Sequence, residues 1–425
     1  MTDYTKMWDD LGLAPDTHAA VLETVGNLYG EVFLSQKNRP KGMEYFDFVM
    51  SEIHGLRIKE LMDAKAEGRK VVGTFCVFVP EEIVLALDGI MVGLCAGADL
   101  GIDESEDFLP RNTCALIKSA FDFKLAKVCP YIESTDMIVG ENTCDGKKKA
   151  YESYKDLVDN LYVMDIPQMK SNSGYDLLKA EYKRFADELE KLTGKKLTVE
   201  NLKKAIETVN AKRRAILRLA RLRAVNPVPI SGLDVLLANQ IYFYDDPERF
   251  TQSVNALCDE LEERIEKGIG VFPSDTPRIL ISGCPMAIPN WKLPGLIESS
   301  GATIVGEEMC TGERGTRNMT STEGETVDAL IDNIVNRYFK IDCAIFTPNQ
   351  SRIEHVNEMA DNYNADGVLN YSLQFCHPYQ HESITSAKQL ENDGVPVLNL
   401  TTDYSQEDIG QLKTRIEAFI ERIKS

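Results

Sequence analysis

The sequence lacks long apolar runs, an excess of basic residues and closely spaced cysteines. No run of 18 apolar residues occurs, so no transmembrane helix is expected. The 425 residues include 67 acidic and 47 basic ones, and the formal net charge of −20 would repel the phosphates of nucleic acids. Residues 1–6 lack the features of a signal peptide. We therefore expect a cytoplasmic protein that binds neither a membrane nor a nucleic acid.

Two classes of short motif are also missing. The chain contains no GxxxxGK[ST] sequence and no GxGxxG sequence after a predicted strand, which predicts that it has no nucleotide site of its own. It contains no CxxC pair, which argues against a zinc finger and against a ferredoxin-type cluster motif. A disulfide framework is not expected either, because cytosolic thiols stay reduced.

The hydrophobic pattern predicts an α/β fold with two doubly wound parallel-sheet domains. We divide the chain into a helical N-terminal region (1–60), a first α/β domain (61–170), a helical connecting region (171–270) and a second α/β domain (271–425). Ligands of such sheets bind outside the carboxyl ends of the strands. A cleft between the two domains is therefore the expected position of a functional site.

Short apolar runs mark the predicted strands. They are Val71–Phe75, Met91–Leu94, Met137–Val139, Leu161–Met164, Arg278–Ser282, Ala302–Val305, Cys343–Thr347, Gly367–Asn370 and Val395–Leu400. The connecting region contains a basic run, which we interpret as a solvated helix face or an interface. Its members are Arg213, Arg214, Arg218, Arg221 and Arg223.

Ten cysteines are dispersed along the chain, and six of them lie where a strand should end or a helix should begin. These six are Cys76, Cys114, Cys144, Cys284, Cys310 and Cys376. Backbone N–H groups at such positions favour thiolate over thiol and can donate hydrogen bonds to the sulfurs of a cluster. The six positions together predict a metal or cluster site, although each cysteine taken singly could be an inert buried thiol.

The other four cysteines fit an interior role better. Cys343 lies inside an apolar run, Cys258 lies on a predicted helix, and Cys95 is followed by Ala-Gly-Ala. Cys129 precedes Pro130, and whether it replaces one of the six proposed ligands is left open.

Several separate segments resemble the 2-hydroxyacyl-CoA dehydratase and benzoyl-CoA reductase superfamily. They are Val-Phe-Val-Pro-Glu-Glu-Ile (77–83), Val-Cys-Pro-Tyr-Ile-Glu (128–133), Gly-Glu-Asn-Thr-Cys-Asp-Gly-Lys-Lys-Lys (140–149) and Ile-Val-Gly-Glu-Glu-Met-Cys-Thr-Gly-Glu-Arg-Gly (304–315). They occur in the family's order, and the resemblance covers residues 60 to 425.

The resemblance implies a ligand set. In the dehydratase branch each subunit holds one 4Fe–4S cluster by three cysteines, which match Cys114, Cys144 and Cys376 here. Cys76, Cys284 and Cys310 are additions to that pattern. With them the chain is similar to the double-cubane cluster proteins, in which two sulfide-bridged 4Fe–4S units form an 8Fe–9S cluster.

The same resemblance implies partners and a reaction. It points to an oxidoreductase that works as a homodimer, receives electrons from an ATP-hydrolysing activator with its own 4Fe–4S cluster, and reduces a small molecule. His377, His381 and Glu307 are candidate proton donors, although local packing is an alternative for each. Lys147, Lys148 and Lys149 either offset the charge of a cluster or form a solvated helix turn.

Three other functions remain open from the sequence. One is an acyl-CoA dehydratase or benzoyl-CoA-type reductase subunit with a single 4Fe–4S cluster. Another is a non-enzymatic store of electrons or carrier of a cluster. The third is a structural protein with zinc or plain thiols.

Overall fold

Two four-stranded parallel sheets with the same strand order form the framework of the protein. The structure, a computed structural model, describes residues 3–100 and 103–424. The strands are β1 (Lys70–Thr74), β2 (Gly89–Gly93), β3 (Met137–Glu141), β4 (Leu161–Met164), β5 (Arg278–Gly283), β6 (Thr303–Glu308), β7 (Gly367–Leu373) and β8 (Val397–Thr402). The sheet orders are β2-β1-β3-β4 and β6-β5-β7-β8, and every neighbouring pair is parallel. The predicted α/β class with two doubly wound sheets is confirmed.

Helices surround and connect the two sheets. Before the first sheet lie α1 (Thr5–Asp10), α2 (Pro15–Tyr29), α3 (Met43–Ser51) and α4 (Leu56–Ala66). Within the first sheet region lie α5 (Glu81–Ala86), α6 (Ala115–Leu125), α7 (Pro130–Ser134) and α8 (Asp145–Tyr154). Between the sheets lie α9 (Asn172–Thr193), α10 (Val199–Arg221), α11 (Gly232–Ile241) and α12 (Pro247–Glu266). The second sheet region contains α13 (Lys292–Ser299), α14 (Glu313–Thr316), α15 (Val327–Tyr338), α16 (Gln350–Asn362), α17 (His377–Asn392) and α18 (Ile409–Lys424).

The long connecting helices begin at side chains that cap them. Thr198 and Asn201 form a capping box at the start of α10, and Ser171 caps α9 through the backbone N–H of Gly174. These helices separate the two sheets in sequence, as predicted. Where the chain divides into domains remains a prediction. In the ranges 3–100 and 103–424 no helix is both long and apolar enough to cross a membrane.

The predicted strand at Cys343–Thr347 is wrong, because this segment forms turns and the second sheet is built without it. Its apolar residues are buried between the two sheet regions instead. The ring of Phe346 lies 6.0 Å from that of Phe78, and the backbone N–H of Thr347 donates to Gln168 O at 3.0 Å. A short apolar run has the same composition whether it pairs in a sheet or packs at a domain interface.

Candidate functional site

The carboxyl ends of strands from both sheets open into one cavity of about 490 Å³. All six cysteines proposed as ligands line it, together with two others. The eight are Cys76, Cys95, Cys114, Cys144, Cys284, Cys310, Cys343 and Cys376. The tertiary structure therefore gathers thiols that are spread over 300 residues of sequence, in the cleft where the parallel sheets predict a ligand.

These eight thiols follow the internal repeat of the fold. Because the two sheets share one strand order, β1 corresponds to β5, β2 to β6 and β3 to β7. The cysteines after these strands correspond as Cys76 to Cys284, Cys95 to Cys310 and Cys144 to Cys376. Cys114 and Cys343 lie in the equivalent β2–β3 and β6–β7 connections. Each sheet thus contributes one equivalent set of four thiols.

Three cysteines begin helices at the solvent side of the cavity, and we call them the outer half. Cys114, Cys144 and Cys376 are the N-caps of α6, α8 and α17. Their surroundings include the exposed residues Asp145 and His377. Helix N-termini carry unpaired N–H groups and partial positive charge, which favour a thiolate. The neighbouring Cys376 thiol, together with burial, raises the pKa of Cys114.

The other three proposed ligands directly follow strands β1, β5 and β6, and we call them the inner half. Cys284 is 1% exposed, and its Sγ accepts a hydrogen bond from Leu373 N at 3.3 Å. Cys76 and Cys310 come from different sheets, and their thiols are neighbours. The neighbouring Cys310 thiol first, and then burial, raise the pKa of Cys76, while the Cys76 thiol helps to lower the pKa of Cys310 to about 6. The thiols of Cys376 and Cys284 are also neighbours, which connects the outer and inner halves.

Two cations flank the inner half, the half-buried Lys147 and the buried Arg314. Lys147, one turn into α8, lines the cavity, and its Nζ lies 3.5 Å from Glu141 Oε2. Arg314 Nη1 donates to Cys310 Sγ at 3.8 Å, and its guanidinium is fixed by Glu308 at 2.7 Å. Positive charge beside a group of thiolates offsets part of their mutual repulsion.

The chain matches a known family over most of its length. Residues 76–423 match the family described as 2-hydroxyglutaryl-CoA dehydratase, D-component. The chain belongs to this family. The resemblance seen in the sequence to the 2-hydroxyacyl-CoA dehydratase and benzoyl-CoA reductase superfamily is thereby confirmed.

Individual members of the dehydratase family align over most of both chains. YjiM of Escherichia coli K12, named as a dehydratase subunit, is 37% identical over 366 residues, which are 85% of this chain and 94% of that protein. The (R)-phenyllactyl-CoA dehydratase beta subunit of Clostridium sporogenes is 27% identical over 363 residues, 84% and 92% of the two chains. A benzoyl-CoA reductase subunit of Thauera aromatica is 23% identical over 360 residues, 84% and 91%.

The candidate proton donors of this dehydratase-family chain lie in different environments. His377 and His381 are exposed and line the mouth of the cavity. Glu307 is 3% exposed and is not among the residues that line it. Its two carboxylate oxygens accept hydrogen bonds from Arg223 at 2.5 and 2.6 Å. The structure therefore brings the two histidines, and not Glu307, to the thiols.

Cys95 and Cys343 were assigned to the interior from the sequence, but both line the cavity. The Cys95 thiol donates to Phe75 O at 3.0 Å, and Cys343 Sγ lies 3.5 Å from the hydroxyl of Tyr379. One sequence signal could have found Cys95, because it follows β2 at the distance at which Cys310 follows β6. Cys129 and Cys258 do not line this cavity; Cys129 lines a different one.

The thiol arrangement suits a cluster better than a single ion. Among residues 3–100 and 103–424, no three His, Cys, Asp or Glu side chains converge closely enough to hold one metal ion. A cubane instead needs thiolates spaced around a larger body, and soft thiolate sets select iron–sulfur clusters. Here the thiols surround a 490 Å³ cavity and are accompanied by N–H donors and cations. These residues therefore fit an iron–sulfur cluster.

Proposed function

We propose that this chain is the catalytic component of an ATP-dependent iron–sulfur reductase that acts on a small molecule. One observation carries the proposal: Cys76, Cys284 and Cys310 line the same cavity as the three cysteines that match the dehydratase pattern. Two sets of three thiolates provide ligands for two adjoining 4Fe–4S units, as in a double-cubane 8Fe–9S cluster. When bound, such a cluster would supply low-potential electrons to the substrate.

In this proposal the two halves of the site have different tasks. Cys114, Cys144 and Cys376 hold one unit at three helix N-termini, where backbone N–H groups stabilise thiolates. Cys76, Cys284 and Cys310 hold the other unit at the ends of β1, β5 and β6, with Cys284 buried and Cys76 and Cys310 half-buried. His377 and His381 at the mouth are positioned to pass protons from solvent into the cavity.

The electrons have to come from outside the chain. The sequence lacks nucleotide-binding motifs, which supports a separate ATP-hydrolysing activator with its own 4Fe–4S cluster. We further propose a homodimer, because one chain contains both ligand sets. Since two units would fill much of the cavity, the proposed substrates are small molecules with multiple or N–N bonds, such as acetylene-like or hydrazine-like compounds.

Iron and acid-labile sulfide content of the anaerobically purified protein tests the proposal. We expect about eight irons per chain, from two four-iron units, and a loss of iron in Cys284→Ser. Cys258→Ser is the matched control, because Cys258 is buried on α12 away from the cavity. Colourless protein without labile sulfide would reject any iron–sulfur function.

A single-cluster acyl-CoA dehydratase or reductase subunit is the second candidate. The names of the relatives favour it, since they include a phenyllactyl-CoA dehydratase and a benzoyl-CoA reductase subunit. It requires about four irons per chain and unchanged iron in Cys284→Ser. Conversion of a 2-hydroxyacyl-CoA with an activator present would decide in its favour. A cluster that is reduced and reoxidised without turning over any substrate would instead indicate an electron store or carrier.

A further inference from the structure

The charges around the cavity are unequally distributed between its two halves. The inner half has a cation on each side, the half-buried Lys147 from the first sheet region and the buried Arg314 from the second; Lys147 also lies three residues from Cys144 of the outer half. Among the described residues that line the cavity, Lys147 is the one lysine, and no arginine is present. Arg314 lies just behind the lining and reaches Cys310. The outer half is supported by helix N-termini and borders exposed residues instead.

Each cation is held by a buried glutamate at a strand end. Glu141, the last residue of β3, is 0% exposed, and its Oε1 accepts the backbone N–H of Cys76 at 3.0 Å. Glu308, the last residue of β6, binds Arg314 through Nε at 2.7 Å and Nη2 at 2.8 Å. These contacts fix the cations beside Cys76 and Cys310, the two thiols that meet across the cleft.

Within each ion pair the cation faces the thiol more closely. Lys147 lines the cavity, whereas Glu141 is not among its lining residues. Arg314 Nη1 donates to Cys310 Sγ at 3.8 Å, while its Nε and Nη2 bind Glu308, which Arg352 also binds at 3.0 Å. In both groups the cation therefore lies between its glutamate and the inner half.

We propose that Lys147 and Arg314 are positioning residues that make the inner half of the site the easier half to reduce. Positive charge close to a cluster favours the added electron, and this effect is strongest where water is excluded. The structure thus assigns a direction to electron transfer. An electron that enters through the outer half, on the solvent side, moves to the inner half and stays there. This inference rests on the proposed function, because it requires a cluster unit in each half.

The neighbouring lysines provide a matched comparison on the same helix. The Lys147 side chain is 15% exposed, whereas that of Lys148 is 53% exposed and pairs with Asp145 at 3.4 Å. Replacing Lys148 removes the same charge from the same turn of α8, but on its solvent side, where water screens it. Any general effect of net charge or helix stability should therefore appear in both variants.

The test is a mediated redox titration of the anaerobically purified holoprotein, followed by electron paramagnetic resonance, with iron counted on the same samples. We expect two reduction steps in the wild type. Lys147→Met should shift the step at higher potential to a more negative value and leave the other step in place, whereas Lys147→Arg and Lys148→Met should shift neither. Glu141→Gln combined with Lys147→Met leaves no unpaired buried charge, so this double variant covers the case in which the single variant folds poorly. It should show a negative shift that is smaller than in Lys147→Met, because the opposing negative charge of Glu141 is removed as well.

The outcomes separate the inference from the proposed function. About eight irons with unshifted potentials in both Lys147→Met and the double variant would overturn the inference alone. About four irons and a single reduction step would overturn the proposed two-unit cluster, and the inference with it. A shift of equal size in Lys148→Met would show a general charge effect and would also overturn the inference.

Discussion

Arg213 Nη1 donates to Glu82 Oε1 at 2.7 Å, and both side chains are buried. The pair connects three parts of the chain, because Glu82 belongs to α5, Arg213 to the connecting helix α10, and both contact the hydroxyl of Tyr338 from α15. The basic run therefore is not simply a solvated helix face. Through this pair and the buried Arg223–Glu307 pair it fixes the relative position of the two sheets, and thereby the width of the thiol-lined cavity.

Arg213→Met is expected to destabilise the protein. It leaves the Glu82 carboxylate buried with one cation fewer, and breaking a buried pair in this way costs about 3–5 kcal/mol. Arg214→Met is the control, because its side chain is 55% exposed and lies 3.6 Å from Glu207, so the change should be within about 0.5 kcal/mol. Urea unfolding followed by circular dichroism measures both. Equal midpoints for the two variants would contradict the structural role.

The same carboxylates predict a dependence of stability on pH. Burial raises the pKa of Glu82, but Arg213 and Arg337 outweigh it and lower the pKa from 4.5 to about 2. For Glu308, Arg314 and Arg352 outweigh burial in the same way, and its pKa is also about 2. A depressed pKa stabilises the folded state above the unfolded value, and this contribution is lost as pH falls from about 4.5 through about 2. The difference in urea midpoint between wild type and Glu82→Gln should therefore become smaller over that pH range. A difference that stays constant would argue against a stabilising contribution from the Glu82 carboxylate.

Glu307→Gln should lower the stability of the folded protein without lowering its turnover. The change leaves the buried Arg223 guanidinium without a full charge partner, which costs about 3–5 kcal/mol. Turnover per cluster in the folded fraction should be retained, because Glu307 does not line the cavity. A turnover defect in Glu307→Gln at full iron content would restore Glu307 as a proton donor.

His377→Gln should have the opposite effect. We expect it to leave the stability of the fold unchanged and to alter the pH profile of turnover.

Cys95→Ser and Cys343→Ser should each keep the iron content of the wild type. Both thiols line the cavity, but neither belongs to the six proposed ligands. The Cys95 thiol is itself the donor to Phe75 O, and Cys343 Sγ lies beside the Tyr379 hydroxyl. Cys310→Ser, at the position in the second sheet that corresponds to Cys95, should lose iron. Iron loss in Cys95→Ser would show that the repeated set of four thiols, rather than the predicted six, holds the cluster.

Gly283→Ala should lower the iron content by displacing Cys284. Gly283 has φ +145°, and a Cβ there would lie 1.8 Å from Tyr371 O on the neighbouring strand. The strands β5 and β7 would have to separate, which moves the thiol of the next residue. Gly26→Ala is the control, because a Cβ at that position on α2 meets nothing within 4 Å. Full iron content in Gly283→Ala would show that Cys284 does not depend on this close approach.

The sequence by itself was sufficient to predict the fold class, most strands and the family. Strand and helix patterns are local. Of the nine predicted strands, eight therefore lie near the strands of the two sheets. The cysteines after those strands were predicted to meet because parallel sheets bring their carboxyl ends together. The Cys343–Thr347 segment was assigned wrongly because apolar composition alone does not distinguish a strand from an interface.

What the tertiary structure decided depends on contacts between residues far apart in sequence. The sequence contains no local sign that Lys147 is largely shielded from solvent and Lys148 exposed, because the difference comes from the side of α8 that faces Glu141 and Cys76. It likewise contains no sign that Arg213 pairs with Glu82, or that Cys343 faces the cavity. The positions of the ten cysteines are a property of the sequence; which of them meet, and which charges face them, is set by how the two sheets pack against each other.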